Sequence, residues 1–272
     1  MIPAAFDYKV AESAEQAIAL LGEHGDESKL LAGGHSLIPM MKFRLATPTV
    51  LIDVSRISDL SYIREADGHL AIGAMTKHYE LETSAVVAAQ APMLGHVAAL
   101  VGDPSVRHRG TLGGTLAHSD PASDLPAAVL ALGGTIVAQG SGGTREIAAS
   151  DFFTGYFESV LAADEIITEV RIPTGTGGWN YQKFNRRAQD WAIVGVGVAD
   201  GGKGISLVNM GSTPIRATAA EAAVASGASA ADAAALAAQD TSPPQDNNAD
   251  AAYRTHLATV LTRRALEAAG VA

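Results

Sequence analysis

The sequence contains no cysteine in its 272 residues. This absence excludes disulfide bonds, thiolate nucleophiles, cysteine-based zinc sites and iron–sulfur ligation by this chain. Any redox chemistry must therefore depend on a bound cofactor. Basic residues are also few, since 19 Lys and Arg residues face 29 Asp and Glu residues for a formal net charge of −10. That charge disfavours broad attraction to nucleic acid or to anionic membranes.

Long apolar runs are missing as well. The apolar stretch at residues 125–138 contains Pro126 and paired glycines, and it is shorter than the roughly 20 residues that span a bilayer. Near the N-terminus, Asp7 and Lys9 interrupt the apolar character too early for the core of a signal peptide. We therefore expect a cytoplasmic protein, with peripheral association at the inner face of the membrane left open.

Residues 1–56 form the first of three units that the apolar patterns predict. A capping box that begins at Ser13 predicts a helix ending at Gly25, and apolar strands follow at residues 29–32 and 50–54. Helix and strand thus alternate in this unit. The length and the 47% of hydrophobic residues are enough for a sizeable core in about two domains or more.

Residues 57–173 form the second predicted unit. Short strands such as 70–73 are mixed here with Ala-rich helical segments such as 84–100. Residues 166–172 alternate at the period of a strand, and Pro173 ends that run. This mixture indicates an α+β unit.

Residues 174–272 form the third predicted unit. Two strand-like runs, 192–199 and 205–210, are joined by a glycine-rich turn and predict a hairpin. The low-complexity, Ala-rich segment 217–239 is either helical or disordered, and helix is favoured because alanine is the best helix former. The final helix is expected to place four apolar side chains on one face, namely Tyr253, Leu257, Val260 and Leu261. The whole chain is therefore expected to belong to the α+β class.

Two Gly-Gly pairs are the first candidates for a ligand site. Ala32-Gly33-Gly34-His35-Ser36 follows a predicted strand, and a predicted helix that favours an anion at its start begins at Leu37. Thr111-Leu112-Gly113-Gly114-Thr115 repeats the Gly-Gly pair with hydroxyl neighbours in the second unit. Glycine lets the backbone approach a ligand and present N–H groups to a phosphate. Each pair alone is more typical of a plain turn, but two such pairs suit one diphosphate.

Other motifs are absent or ambiguous. Gly195 and Gly197 begin a G-x-G pattern, but they lie inside an apolar strand and Asp200 stands where a third glycine would be needed, so a Rossmann domain is not expected. No Walker A motif, G-x-S-x-G elbow or HExxH pair occurs. Asp124 either accepts hydrogen bonds from ribose hydroxyls or caps the helix after it. No catalytic residue and no metal ligand is predicted.

Three segments stand out together, namely Ala32-Gly33-Gly34-His35-Ser36-Leu37-Ile38-Pro39, Arg107-His108-Arg109-Gly110-Thr111-Leu112-Gly113-Gly114-Thr115 and Asp120-Pro121-Ala122-Ser123-Asp124. Together they resemble one family, the medium, FAD-binding subunits of molybdenum hydroxylases. The likeness extends over nearly the whole chain. Pro39-Met40-Met41-Lys42 and the ending Tyr253-Arg254-Thr255-His256-Leu257 most resemble the subgroup from aerobic, molybdenum-containing carbon monoxide dehydrogenases. The resemblance implies a vanillyl-alcohol-oxidase (PCMH) type of fold, with FAD between two N-terminal subdomains and a C-terminal domain closing over it.

The resemblance also implies a set of cofactor-binding residues. They are Ala32, Gly33, Gly34, His35, Ser36, Leu37, Thr111, Gly113, Gly114, Thr115, Asp124, Ile167, Lys183 and Trp191. The two glycine segments would hold the pyrophosphate, Asp124 matches an aspartate on the ribose side, and Lys183 matches a lysine near the flavin ring. The backbone at or beside Ile167 would touch the flavin. Many relatives have Asn in place of Thr115 and other polar residues in place of His118 and Ser119, which leaves the side-chain contacts there open but not the backbone contacts.

Three assignments near this site keep an alternative. Trp191 either stacks on or shields the isoalloxazine, or it anchors the core of the hairpin. The cluster Arg107-His108-Arg109 either offsets pyrophosphate charge or forms a basic patch that faces solvent or a partner. His35 either contacts the ligand or is a hydrogen-bonded structural histidine.

The function implied by the resemblance is electron transfer for a reaction that occurs on another chain. Electrons from carbon monoxide oxidation would leave a molybdenum cofactor in a large subunit, pass through [2Fe–2S] clusters in a small subunit, reduce the FAD of this chain and go on to a quinone or other acceptor. The expected assembly is a dimer of heterotrimers. Alternatives are the FAD subunit of another molybdenum hydroxylase, for xanthine, nicotine or an aldehyde, a self-sufficient flavin reductase, and a scaffold whose glycine pairs are only turns.

Overall fold

The computed structural model describes residues 2–175 and 177–272, which fold into three larger sheets and a small two-stranded one, with surrounding helices. The first sheet is parallel, has the order β1-β3-β2, and is connected through two helices. Its elements are β1 (Asp7–Val10), α1 (Ala14–His24), β2 (Ser28–Leu31), α2 (Leu37–Lys42) and β3 (Val50–Asp53). Helix α1 begins where the sequence predicts because Ser13 Oγ accepts a hydrogen bond from the Gln16 backbone N–H at 3.2 Å.

The second sheet has five antiparallel strands in the order β4-β5-β10-β6-β7. Its strands are β4 (Ile63–Ala66), β5 (His69–Gly73), β6 (Thr135–Gly140), β7 (Gly143–Ala148) and β10 (Ile166–Pro173). The last of these strands in the chain, β10, is therefore the central one. Pro173 is the final residue of β10 and pairs with His69, so the strand extends one residue beyond the predicted run.

Helices fill the connections of the second sheet. Six of them stand between β5 and β6, namely α3 (His78–Thr83), α4 (Ala85–Gln90), α5 (Pro92–Ala99), α6 (Pro104–Arg107), α7 (Leu112–His118) and α8 (Asp124–Ala131). The short elements α9 (Ala149–Phe152), β8 (Phe153–Gly155) and β9 (Glu158–Ser159) stand between β7 and β10. The helical segment predicted at residues 84–100 is divided between α4 and α5, because Pro92 lacks the N–H that a helix interior needs and stands instead at the start of α5.

The third sheet is antiparallel and its four strands are neighbours in chain order. Its elements are β11 (Asn180–Phe184), β12 (Val194–Ala199), β13 (Gly204–Val208), β14 (Ile215–Arg216), α10 (Thr218–Ala225), α11 (Ala230–Ala235) and α12 (Ala251–Ala268). The predicted hairpin is confirmed as β12 and β13. Residues 217–239 form two short helices instead of one, since the chain turns at Gly227 with a φ of +83°.

The buried face of α12 differs from the predicted one. Leu257 and Leu261 are buried as expected, but Tyr253 is 42% exposed. Its neighbour Arg254 is completely buried, and its guanidinium donates to the Ile193 carbonyl and pairs with Asp246. The prediction of Tyr253 in the core is wrong because an apolar pattern cannot anticipate a buried arginine whose charge is paired.

The hydrophobic cores cross the predicted boundaries. Ile166 and Met75 complete the core of the first sheet, while Tyr181 and Val208 of the third sheet pack into the core of the second. The α+β class is confirmed, and the unit boundaries at 1–56, 57–173 and 174–272 stay predictions. Among the described residues, no helix is both long enough and apolar enough to cross a bilayer.

Candidate cofactor site

A cavity of 680 Å³ is lined by residues from all three larger sheets and their loops. This volume is within the range of about 300–1,000 Å³ that is common for small-molecule and cofactor sites. Every residue predicted to bind the cofactor lines it: Ala32, Gly33, Gly34, His35, Ser36, Leu37, Thr111, Gly113, Gly114, Thr115, Asp124, Ile167, Lys183 and Trp191. Residues 159 positions apart in the sequence are thus brought to one surface, as Ala32 and Trp191 illustrate.

The turn between β2 and α2 offers a row of free N–H groups to this cavity. Gly34 has a φ of +78°, which favours glycine, and its carbonyl accepts the first hydrogen bond of α2, from Ile38 N at 3.0 Å. In the part of the chain that the structure describes, the backbone N–H groups of residues 33–37 have no acceptor. Consecutive free N–H groups in such a turn form a concave site for an anion.

The two glycine turns are in direct contact. A Cβ atom at Gly33 would lie 2.3 Å from the Arg109 carbonyl oxygen, so only glycine fits there. A Cβ atom at Gly114 would lie 3.6 Å from the Ala32 Cβ. The juxtaposition expected for two turns around one diphosphate is therefore present.

The second turn contributes shape instead of free N–H groups. Thr111 caps α7 by accepting a hydrogen bond from Gly114 N at 3.2 Å, and Gly113 N donates to the Ala74 carbonyl at 2.8 Å. Leu112 N and Thr115 N are bonded as well, to Thr76 O and Thr111 O. The backbone N–H groups of residues 112–115 are therefore used within the fold, and contact of this turn with a phosphate stays a prediction.

A buried ion pair forms one wall of the cavity. Lys183 Nζ lies 2.8 Å from Asp124 Oδ2 and donates to the Leu100 carbonyl at 3.0 Å, while the Tyr181 hydroxyl donates to Asp124 Oδ1 at 2.8 Å. Burial raises the pKa of the Asp124 carboxyl, and the Lys183 ammonium opposes that rise. Burial, together with the Asp124 charge, raises the pKa of Tyr181 well above its usual value. The wall therefore places a fixed ammonium beside the cavity without a net charge.

Asp124 does not cap a helix. Ser123 is the N-cap residue of α8 and Asp124 is its first residue, with both carboxylate oxygens bonded to β11 side chains. The capping alternative is therefore wrong. A contact of Asp124 with ribose stays a prediction, and it would share an oxygen with Lys183 or Tyr181.

Trp191 stands at the rim of the cavity with 57% of its surface exposed. It belongs to neither hydrophobic cluster of the third sheet, so the alternative in which it anchors the hairpin core is wrong. Ile167 is buried and lines the cavity at a bulge in β10, where the register with β6 shifts. Its position allows backbone contact with a ligand, as the resemblance implies.

The basic cluster at residues 107–109 does not line the cavity, and His108 and Arg109 are exposed, which favours the alternative of a basic patch that faces solvent or a partner. Arg107 Nε lies 2.7 Å from Glu82, and its guanidinium donates to the Val101 and Gly102 carbonyls, which braces α6 against α3. His35 is exposed, and its Nδ1 lies 3.3 Å from the Gly33 carbonyl. Both alternatives for His35 therefore stay open.

Sequence reasoning assigned no binding role to several residues that line the cavity. His78 and Gly110 sit beside the two glycine turns, and His118 and Phe157 form a tilted pair with ring centroids 5.1 Å apart. Burial lowers the pKa of His118. Only the fold shows that these positions face the cavity. Among residues 2–175 and 177–272 no group of three or more potential metal ligands occurs.

The cavity, lined by residues from the three larger sheets, and the family models that the chain matches define the class of the protein, an FAD-binding flavoprotein. Residues 4–175 match the family model described as "FAD binding domain in molybdopterin dehydrogenase" and residues 179–269 match "CO dehydrogenase flavoprotein C-terminal domain". The chain belongs to this family of FAD-binding subunits of molybdopterin dehydrogenases. The cavity fits FAD because it combines an anion site between touching turns with a long apolar and polar wall.

Similar proteins cover almost the full chain. The carbon monoxide dehydrogenase medium chain of Hydrogenophaga pseudoflava is 40% identical over 99% of this chain and 98% of its own. The 6-hydroxypseudooxynicotine dehydrogenase complex subunit alpha of Paenarthrobacter nicotinovorans is 37% identical over 98% of this chain and 95% of its own. A structure of reconstituted CO dehydrogenase from Oligotropha carboxidovorans superposes with a TM-score of 0.93 at 39% identity and covers 99% of both chains.

Proposed function

We propose that this chain is the FAD-carrying electron-transfer subunit of an aerobic carbon monoxide dehydrogenase. The observation that carries the proposal is its 40% identity, over 99% of the chain, to a carbon monoxide dehydrogenase medium chain. The overall reaction converts CO and water to CO₂, two protons and two electrons. Those electrons reach this chain from [2Fe–2S] clusters of a partner and leave for a quinone or another acceptor.

The residues of this chain bind and orient the cofactor. Bound FAD supplies a centre that takes up two electrons and gives them to an acceptor. The free N–H groups of residues 33–37 hold the pyrophosphate, and the turn at 111–115 fixes its position from the other side. The ion pair of Lys183 and Asp124 places an ammonium beside the flavin, and Trp191 covers the exposed rim. No proton-transferring side chain is assigned, since CO chemistry takes place elsewhere.

The proposal includes partner chains, since a chain without cysteine cannot ligate iron–sulfur clusters. The family resemblance implies a small iron–sulfur subunit and a large molybdenum subunit, in a dimer of heterotrimers. We place the assembly in the cytoplasm, with peripheral association at the inner face of the membrane as a variation.

Anaerobic reduction of the flavin tests the proposal directly. The chain is purified under mild conditions with the chains that accompany it, and its visible flavin absorbance is recorded before and after addition of CO. We expect CO to bleach the flavin absorbance within the turnover time. We also expect the preparation to contain a cysteine-rich small chain and a large molybdenum chain. A preparation without flavin, or one without these two partners, would refute the electron-transfer role.

A second candidate is the FAD subunit of a hydroxylase for another substrate. The 37% identity to the 6-hydroxypseudooxynicotine dehydrogenase complex subunit favours it. The same preparation decides between the two, since nicotine derivatives, xanthine or aldehydes would bleach the flavin and CO would not. The FAD site is unaffected by that outcome.

A further inference from the structure

His78 is a buried histidine on the cavity wall that has no role in the function proposed above. It is the first residue of α3 and only 4% exposed, and its backbone N–H donates to the Gly110 carbonyl at 3.0 Å. That bond ties α3 to the second glycine turn. His78 lines the cavity together with Gly33, His35 and Gly110.

The imidazole of His78 lacks hydrogen bonds. Its Nδ1 is sealed from solvent and has no partner among the described residues. Nε2 is not sealed in this way, and no hydrogen bond to it is found within residues 2–175 and 177–272, so Nε2 is the nitrogen that reaches the cavity. Buried polar groups without partners are rare in folded proteins, and a ligand in the cavity can reach only Nε2 of this ring.

The ring lies against the anion site. A Cβ atom at Gly110 would be 2.6 Å from Nε2 and 2.7 Å from Cδ2 of His78, so this edge of the ring covers the Gly110 Cα. The neighbouring Arg109 carbonyl is the atom against which Gly33 packs. Nε2 is therefore next to the point where the turn at residues 33–37 meets the second turn.

The protonation state of His78 makes it a neutral donor. Burial, with further contributions from His35 and Arg107, lowers its pKa to about 4, so the ring carries one N–H at neutral pH. Nδ1 faces no acceptor. Because Nδ1 is sealed from solvent, a ligand oxygen beside Nε2 would favour the tautomer that carries the proton on Nε2.

We propose that His78 binds the cofactor by donating a hydrogen bond from Nε2 to a pyrophosphate oxygen held at residues 33–37. The inference rests on the proposed FAD site and adds a side-chain donor to its backbone donors. A neutral imidazole suits this place because it binds the phosphate through one directed bond and adds no charge to the interior.

Two substitutions separate the donor from the bulk of the ring. His78→Gln keeps an amide N–H near the position of Nε2, and His78→Leu keeps a similar volume without a donor. The holoprotein, purified with its accompanying chains, is stripped of flavin, and rebinding of FAD and of riboflavin is followed by flavin fluorescence. We expect His78→Leu to weaken FAD binding roughly 10- to 100-fold, the range for a hydrogen bond to a charged group, and His78→Gln to remain within about threefold of the unmodified protein.

Riboflavin, which lacks the diphosphate, is the discriminating ligand. Its binding should be the same in all three proteins. Unchanged FAD affinity in His78→Leu, or an equal loss for riboflavin, would overturn the inference. A wild-type protein that takes up no FAD would instead overturn the proposed function, so the two failures are distinguishable.

A spectroscopic measurement covers the case in which His78→Leu does not fold. The ring nitrogens are labelled with ¹⁵N in the unmodified protein, and their resonances are assigned by comparison with His78→Gln. Addition of ADP, which carries the diphosphate without the flavin, should shift the Nε2–H resonance and leave Nδ1 unprotonated. No change at Nε2 under saturating ADP would refute the bond.

Discussion

Lys183→Met removes the cation from the buried pair in the cavity wall and leaves the Asp124 carboxylate with one donor, the Tyr181 hydroxyl. The Lys183 and Asp124 side chains are 7% and 5% exposed, so solvent cannot replace the lost partner. Breaking a buried pair from one side costs about 3–5 kcal/mol in free energy of unfolding. The bond from Nζ to the Leu100 carbonyl is lost as well.

Protonation of Asp124 limits that cost. The carboxyl can always become neutral, and from an ordinary pKa of 3.8 this requires about 4 kcal/mol at pH 7 and about 2 kcal/mol at pH 5. Without Lys183 the folded-state pKa of Asp124 rises further above its unfolded value, so the folded protein takes up a proton as the pH falls. The destabilisation by Lys183→Met should therefore shrink between pH 7 and pH 5.

Urea unfolding at both pH values measures this effect. Lys203→Met is the matched control, because Lys203 Nζ also lies 2.7 Å from a carboxylate, on Asp200, but the two side chains are 78% and 49% exposed. We expect that control to change stability by less than about 1 kcal/mol. The double variant Lys183→Met with Asp124→Asn should recover at least half of the loss. A Lys183→Met protein as stable as the Lys203→Met control at pH 7 would refute the reasoning.

Three further predictions concern other parts of the site. Gly33→Ala should lower flavin occupancy and cost about 1–3 kcal/mol of stability, because the new Cβ would overlap the Arg109 carbonyl oxygen. The control Gly142→Ala places its Cβ in open space and should leave both flavin content and melting temperature unchanged. The free energy of unfolding should fall by about 2 kcal/mol between pH 7 and pH 5 because of His78, since its folded-state pKa of about 4 lies below the unfolded value of 6.5 and stability is lost as the pH falls through that interval. His78→Gln should remove this dependence in urea titrations. An identical pH profile for both proteins would contradict the prediction. Trp191→Phe should alter stability by less than about 0.5 kcal/mol because Trp191 is exposed. The same variant should lose the part of the tryptophan emission that FAD quenches. Undiminished quenching would place Trp191 away from the flavin.

Sequence patterns predicted those parts of the fold that local rules determine. The cap at Ser13, the hairpin of β12 and β13, and the alternation in β10 each follow from a few neighbouring residues. Patterns did less well where a residue is buried for a reason other than hydrophobicity. Arg254 is the clearest case, since its paired charge occupies the position expected for an apolar side chain.

The candidate site was predicted in outline because its glycines and acidic residues form motifs. The different roles of the two turns could not be predicted, since both contain a Gly-Gly pair. Only the contact of Gly113 with Ala74 shows that the second turn uses N–H groups in hydrogen bonds within the fold. His78 escaped notice for the same reason. A single histidine has no spacing to reveal it, and its importance depends on a neighbour, Gly110, that lies 32 positions away.

The central place of β10 has a consequence for how the protein is made. Residues 166–173 leave the ribosome after every other strand of the second sheet, yet β10 pairs with both β5 and β6, and Ile166 completes the core of the first sheet. Until then the nascent chain exposes two unpaired strand edges and an open apolar face, which are sites for chaperones and for aggregation. We expect a chain truncated before residue 166 to be insoluble, because the second sheet cannot close until residues 166–173 have left the ribosome.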